Sequence, residues 1–138
     1  MKLPPRLATL VVKNGVALGL LGEAERDLVL ALAASAIGAG RGHREAEVNR
    51  LLSAWLQDTG AMLRTDHVEL RRWLVDAGFI ARDGFGHAYV RGPAELARAE
   101  ALLGTGAGAS AELDAAVTAL RAEHAAQRES RRQAYAEG

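Results

Sequence analysis

Three helix-length apolar stripes in succession, two short strand-like runs around a glycine turn, and an alanine-rich helix beyond a glycine linker predict an α+β fold. Three helices followed by a hairpin is the order of a winged helix-turn-helix domain. It is expected over residues 1–92, with a helical C-terminal extension over residues 93–138. A chain of 138 residues fits one such domain with an appendage, and its 49% of hydrophobic residues supply a core.

The elements follow in order. Leu7 to Val12 is apolar and β-branched at its end, so it reads as a strand. Lys13-Asn14-Gly15 reads as a turn, because Asn and Gly tolerate positive φ. Val16 to Leu21 reads as a second short strand; helix competes with strand throughout this segment, since runs this short carry no decisive period. Glu23 to Ile37 is a helix. Glu23, Glu25 and Asp27 occupy its positive end, Leu28, Leu32 and Ala36 share a face with Val29 and Ala33 beside them, and Gly38, Gly40 and Gly42 end it.

Arg44 to Leu56 is the second helix, with Val48, Leu51, Leu52 and Trp55 at the spacing of a buried stripe. Gln57 to Thr65 connects around Gly60, with Met62 and Leu63 tucked beneath. Asp66 to Ala77 is the third helix. Asp66 with Glu69 three residues on reads as a capping box, Leu70, Trp73 and Leu74 point inward, and Gly78 suits the position after the last turn. Phe79 to Arg82 and His87 to Arg91 are strands about an Asp83-Gly84-Phe85-Gly86 turn. After Gly92-Pro93 come a short helix from Ala94 to Leu103, a linker from Gly104 to Ser110, and a long helix from Ala111 to about Ala134.

Composition removes several function classes. Lys plus Arg and Asp plus Glu are 17 each, so the net charge is zero and binding to nucleic acid would need a local basic face. There are no cysteines, hence no disulfide, thiolate metal site or cysteine nucleophile. The apolar N-terminal stretch is broken by prolines, Lys13 and Gly15, well short of the roughly 20 residues that span a bilayer. No cleavage site of a secretory leader follows, so the expectation is a soluble cytoplasmic protein. The four histidines lack a metal-binding spacing. His43 near Glu45 and Glu47 is the one conceivable metal corner, with pairing to those acids as its plainer role. No G-x-S-x-G occurs, and the glycine runs lack the Lys-Ser/Thr of a phosphate loop. The expectation is a non-enzyme with no metal and no cofactor.

The stretches EVNRLL (Glu47 to Leu52), DHVELRRWLVDAGFIARD (Asp66 to Asp83) and HAYVR (His87 to Arg91) resemble the bacterial DUF2087 family, over roughly Leu7 to Arg91. Members of that family are commonly labelled transcriptional regulators, so the resemblance implies a helix-turn-helix-like regulator. Two departures stand out: Arg44 takes the place where the family tends to put a Ser or Thr cap, and the connection from Trp55 to Asp66 is long.

In a winged helix the third helix enters the major groove. Arg71 and Arg72 are then candidates for base or phosphate contacts, and Arg64, Thr65 and His67 for phosphates near the helix start. Arg82, His87 and Arg91 flank the wing, with Phe85 at its tip as a wedge, a partner anchor or a residue folded back on the core. The plainer roles are an Arg72 paired with Glu69 or Asp76, and an Arg71 packed on the hairpin. Leu113, Val117, Leu120 and His124 follow a heptad-like spacing and are candidates for a homodimer interface, against the plainer reading that this helix folds back on its own domain. Duplex DNA is the expected partner. The alternative is a winged-helix module that docks on a protein partner within a larger assembly.

Overall fold

The N-terminal apolar run is a helix, not the expected strand: α1 spans Pro5–Val11. Pro5 stands at the first helical position, where a missing N–H costs nothing, and Leu7, Leu10 and Val11 are buried at helical spacing. The second expected strand is instead a 3-10 turn, Leu18–Leu20, with Leu18 buried. Val16 forms an isolated bridge. It bridges Leu63 in parallel, its N–H donating to Met62 O at 2.8 Å and its carbonyl accepting from Arg64 N at 2.8 Å.

The computed structural model describes residues 1–83, 88–106 and 108–137. Among the described residues it is an α+β protein with six α-helices and a three-stranded antiparallel sheet. Its centre is α2 (Glu23–Ala34), in which every residue from Leu28 to Ala34 is buried. A helix apolar on all sides belongs inside a fold, and α1, α4 (His67–Asp76) and α5 (Pro93–Leu103) surround this one. α3 (Glu45–Leu56) packs on α4 through Val48, Leu52 and Trp55. The expected cap of α4 is present: Asp66 accepts from the Glu69 N–H at 2.8 Å. Arg44, at the start of α3, makes no side-chain cap.

The strands are short. β1 (Gly42–His43) lies in the glycine-rich stretch between α2 and α3. β2 (Ala81–Arg82) and β3 (Tyr89–Val90) are the two arms of the hairpin. The sheet order is β1-β3-β2, with His43 and Arg82 both opposite Tyr89, and Gly42 and Ala81 both opposite Val90. The expected turn with Phe85, and His87, lie outside the described residues.

The long connection between α3 and α4 is a docking platform. The Trp55 indole lies so close over Gly60 that a Cβ there would stand 2.3 Å from a ring carbon. Thr59 donates to Asp114 Oδ1 at 2.8 Å, reaching α6 (Ser110–Glu137). From α6, Arg121 donates to Val11 O (2.9 Å), Asp58 O (2.9 Å) and Thr59 O (2.7 Å). Ala99 and Leu103 of α5 and Leu113 and Val117 of α6 join the same buried cluster as α1 to α4, so the C-terminal helices close the core of the first 92 residues.

Candidate nucleic-acid interface

Arg71 and Arg72 are adjacent on α4 and meet opposite surroundings. With Leu70 and Leu74 buried, the helical turn sends Arg71 toward α3 and Arg72 toward solvent. Arg71 is only 14% exposed and donates to Asn49 Oδ1, with its other terminal nitrogen 3.3 Å from Glu45 Oε1. The Tyr89 hydroxyl donates to the same Glu45 oxygen at 3.3 Å, and the Arg71 guanidinium lies 5.7 Å from the Tyr89 ring centre. Three residues from α3 and β3 thus surround one charge on α4. Arg71 therefore fixes the crossing of α3 and α4 and their seat on the sheet, and its guanidinium is engaged within the chain rather than presented to a partner.

Arg72 is exposed and forms no ion pair among the described residues, with Glu69 and Asp76 included. Arg64 is exposed, with its backbone held to Val16. Thr65 and His67 are half-buried, the Thr65 hydroxyl donating to Asp66 O at 3.4 Å. Arg82 is exposed with its guanidinium 5.9 Å from the Tyr89 ring centre. Two further exposed cations join this set from α3 and its start: Arg50 and Arg44. They were legible in principle, since Arg50 lies on the side of α3 away from Val48, Leu52 and Trp55.

Arg91 goes elsewhere. It leaves β3 toward the end of α2, where its Nη1 donates to Ile37 O at 3.4 Å, and it lines a cavity with Leu96, Leu103 and Leu113. No residue of α3 or α4 lines that cavity, so Arg91 is directed away from those two helices. Burial pulls the Arg91 pKa down, and the charge of Glu100 works the other way.

His43 is 1% exposed, with Nδ1 3.0 Å from Glu47 Oε1 and Nε2 2.9 Å from Gly38 O. It ties the glycine stretch to α3, which is the plainer of its two expected roles. Arg41 donates to the same Glu47 oxygen at 2.7 Å. The Arg41 hydrogen bond, followed by that of His43, holds the Glu47 carboxyl below its ordinary range. Among the described residues no three His, Cys, Asp or Glu side chains gather as metal ligands would.

The stripe expected to form a dimer is used inside the chain. Leu113 is 2% and Val117 0% exposed, and Leu120 packs against the same core. Burying such side chains is worth about 1.5–3 kcal/mol each, so releasing them to a second copy would open this one. His124 is half-buried beside Ala8, Thr9 and Val12 of the α1 region. Beyond His124 the described part of α6 is exposed, Tyr135 at 91%. Among the described residues no helix is long and apolar enough to cross a membrane.

A family model described as an uncharacterized protein conserved in bacteria, DUF2087, matches residues 22–91. The match starts at the cap of α2 and ends just after β3, so α1, α5 and α6 lie outside it, and the resemblance does not reach back to Leu7. No curated protein and no solved structure matches the chain. The match spans half of the chain and covers all the helices and strands around Arg71, and on that ground this protein belongs to the DUF2087 family.

Proposed function

We propose that residues 22–91 form a winged helix that holds duplex DNA through phosphate contacts, as part of a transcriptional regulator. The element order from α2 to β3, with β3 between β1 and β2, is compatible with a winged helix and supports the reading. The observation that carries the reading is the sorting of the arginines from Arg41 to Arg82. Arg41 and Arg71 are ion-paired, whereas Arg44, Arg50, Arg64, Arg72 and Arg82 are exposed with no ion pair among the described residues. Exposed, unpaired guanidiniums on the two helices and the wing strand are what a phosphate backbone needs. In this reading Arg71 is a positioning residue, Thr65 and His67 stand at the start of the groove helix, and Arg91 has no part.

One observation favours a second reading, a protein-docking module. The outward stripe of α4 carries Glu69, Arg72 and Asp76, one cation between two acids, which is a poor match to DNA and a good one to a mixed-charge protein surface. Binding to random-sequence duplex DNA, followed by fluorescence anisotropy across a salt series, separates the two. Five phosphate contacts set a limit of about −4.5 on the slope of log affinity against log salt, at about −0.9 each. A slope steeper than about −2, reduced by about one in Arg72→Ala, supports DNA. No binding at low salt refutes it and leaves the protein partner.

A further inference from the structure

A cavity of about 210 Å³ lies between the end of α2, α5 and the start of α6. At about 30 Å³ per water it holds the equivalent of roughly seven waters, which is room for a molecule of amino-acid size. Ile37, Leu96, Leu103 and Leu113 give it apolar walls, and Arg91 and Glu100 are its charged lining residues. Arg91 Nε and Glu100 Oε1 are both buried without a hydrogen-bond partner among the described residues, and the two side chains form no ion pair with each other. Unpaired buried polar groups are rare in native proteins, because each gives up its bonds to water without replacement. Here one atom of a cation and one of an anion are left open at a small, mainly apolar cavity that Ser35, Thr105 and Ser110 also line. That pattern is the complement of a ligand with both charges close together and a short apolar body.

We propose that this cavity binds a small zwitterion, an α-amino acid with a short aliphatic side chain, its carboxylate on Arg91 and its ammonium on Glu100. The site is built into the sheet. Arg91 directly follows β3, and its carbonyl accepts from Gly40 N at 3.0 Å beside β1. The proposal stands independently of DNA binding.

Isothermal titration of the full chain with glycine, alanine, valine and leucine tests it, with N-acetylvaline and valinamide as probes that lack one charge each. At least one of the four amino acids binds and raises the melting temperature. Each derivative binds at least about tenfold more weakly than valine, if valine is the ligand, and the same substitutions apply to whichever parent binds. Arg91→Gln gives up the long 3.4 Å bond from Nη1 to Ile37 O and Glu100→Gln gives up no bond at Oε1, and each folded variant loses binding by at least about tenfold. The proposal is overturned if none of the four amino acids binds, if either derivative binds like its parent, or if either folded variant binds like the wild type. Should the variants not fold, the derivative series decides alone.

Discussion

Arg121 holds three pieces of chain that are far apart in sequence, and removing it gives a sharp test of how α6 is attached. Its guanidinium donates to Val11 O at the end of α1, and to Asp58 O and Thr59 O in the connection after α3. Burial lowers its pKa and nearby Asp58 opposes that, so the charge is partly desolvated at a place where carbonyls take over from water. Hydrogen bonds to a charged group are worth about 1.5–3 kcal/mol when buried. Two of these three are half-buried and one is exposed, so about 1 kcal/mol each is the better figure. Arg121→Ala is then expected to cost about 2–3 kcal/mol, a large share of a typical stability of about 5–15 kcal/mol. The melting temperature should fall by roughly 8–12 °C for a chain of this size. Urea unfolding monitored by circular dichroism and by tryptophan fluorescence measures it, since Trp55 sits beside the loop that Arg121 grips. Arg121→Lys keeps the charge but offers one compact ammonium to three separated carbonyls, and is expected to restore less than half of the loss. A loss under about 0.5 kcal/mol, the size of an ordinary surface substitution, would refute the assignment of Arg121 as the fastener of α6.

Three other outcomes are expected. Arg71→Ala leaves Asn49 without its partner and Glu45 with only the Tyr89 hydroxyl, and should cost about 1–3 kcal/mol in urea unfolding, whereas Arg72→Ala should stay within about 0.5 kcal/mol and, on the proposed reading, act on DNA affinity alone; equal losses of stability would undo the division between the two arginines. Gly60→Ala should cost about 1–3 kcal/mol, because its Cβ would stand 2.3 Å from a Trp55 ring carbon and the indole would have to move; a variant as stable as the wild type would show that the indole shifts freely. Because its folded pKa is depressed by Arg41 and His43, Glu47 contributes stability that is present above its unfolded value, near 4.5, and is lost as the pH falls through the folded one. Glu47→Gln should therefore be less stable than the wild type near neutral pH, and the gap should close at acid pH; a gap that stays constant across the acid range would contradict the pairing.

The third helix shows how far local pattern reaches. Asp66 and Glu69 announce its start, Leu70 and Leu74 its inner face, and Gly78, at φ 81°, its end. All of these are set by chain-local geometry, so the sequence contains them. The same holds for the families of apolar positions in α2 and α3. At the N-terminus the local signal is weaker. A six-residue run with five apolar side chains fits a strand or a helix, and the helix wins because Leu7, Leu10 and Val11 find buried neighbours together. β1 is two residues long and has no alternation to read; it exists because β3 offers it hydrogen bonds.

The candidate site divides in the same way. That Arg72 faces solvent follows from its place on α4 relative to Leu70 and Leu74, and the spacing of residues along the helix contains it. That Arg71 is spent on Glu45 and Asn49, 26 and 22 positions away, depends on the crossing of two helices. Arg91 and Glu100 meet at one cavity only because α5 folds back on α2, and Leu113 and Val117 are core rather than interface because α6 folds back on α1. By itself the sequence determined which segments are helical or apolar and which residue types stand on each outward stripe, because those properties are fixed within a few turns of chain. Which charges are neutralised and which remain free was decided by the tertiary structure, because ion pairing and burial depend on neighbours that the chain brings together only by folding.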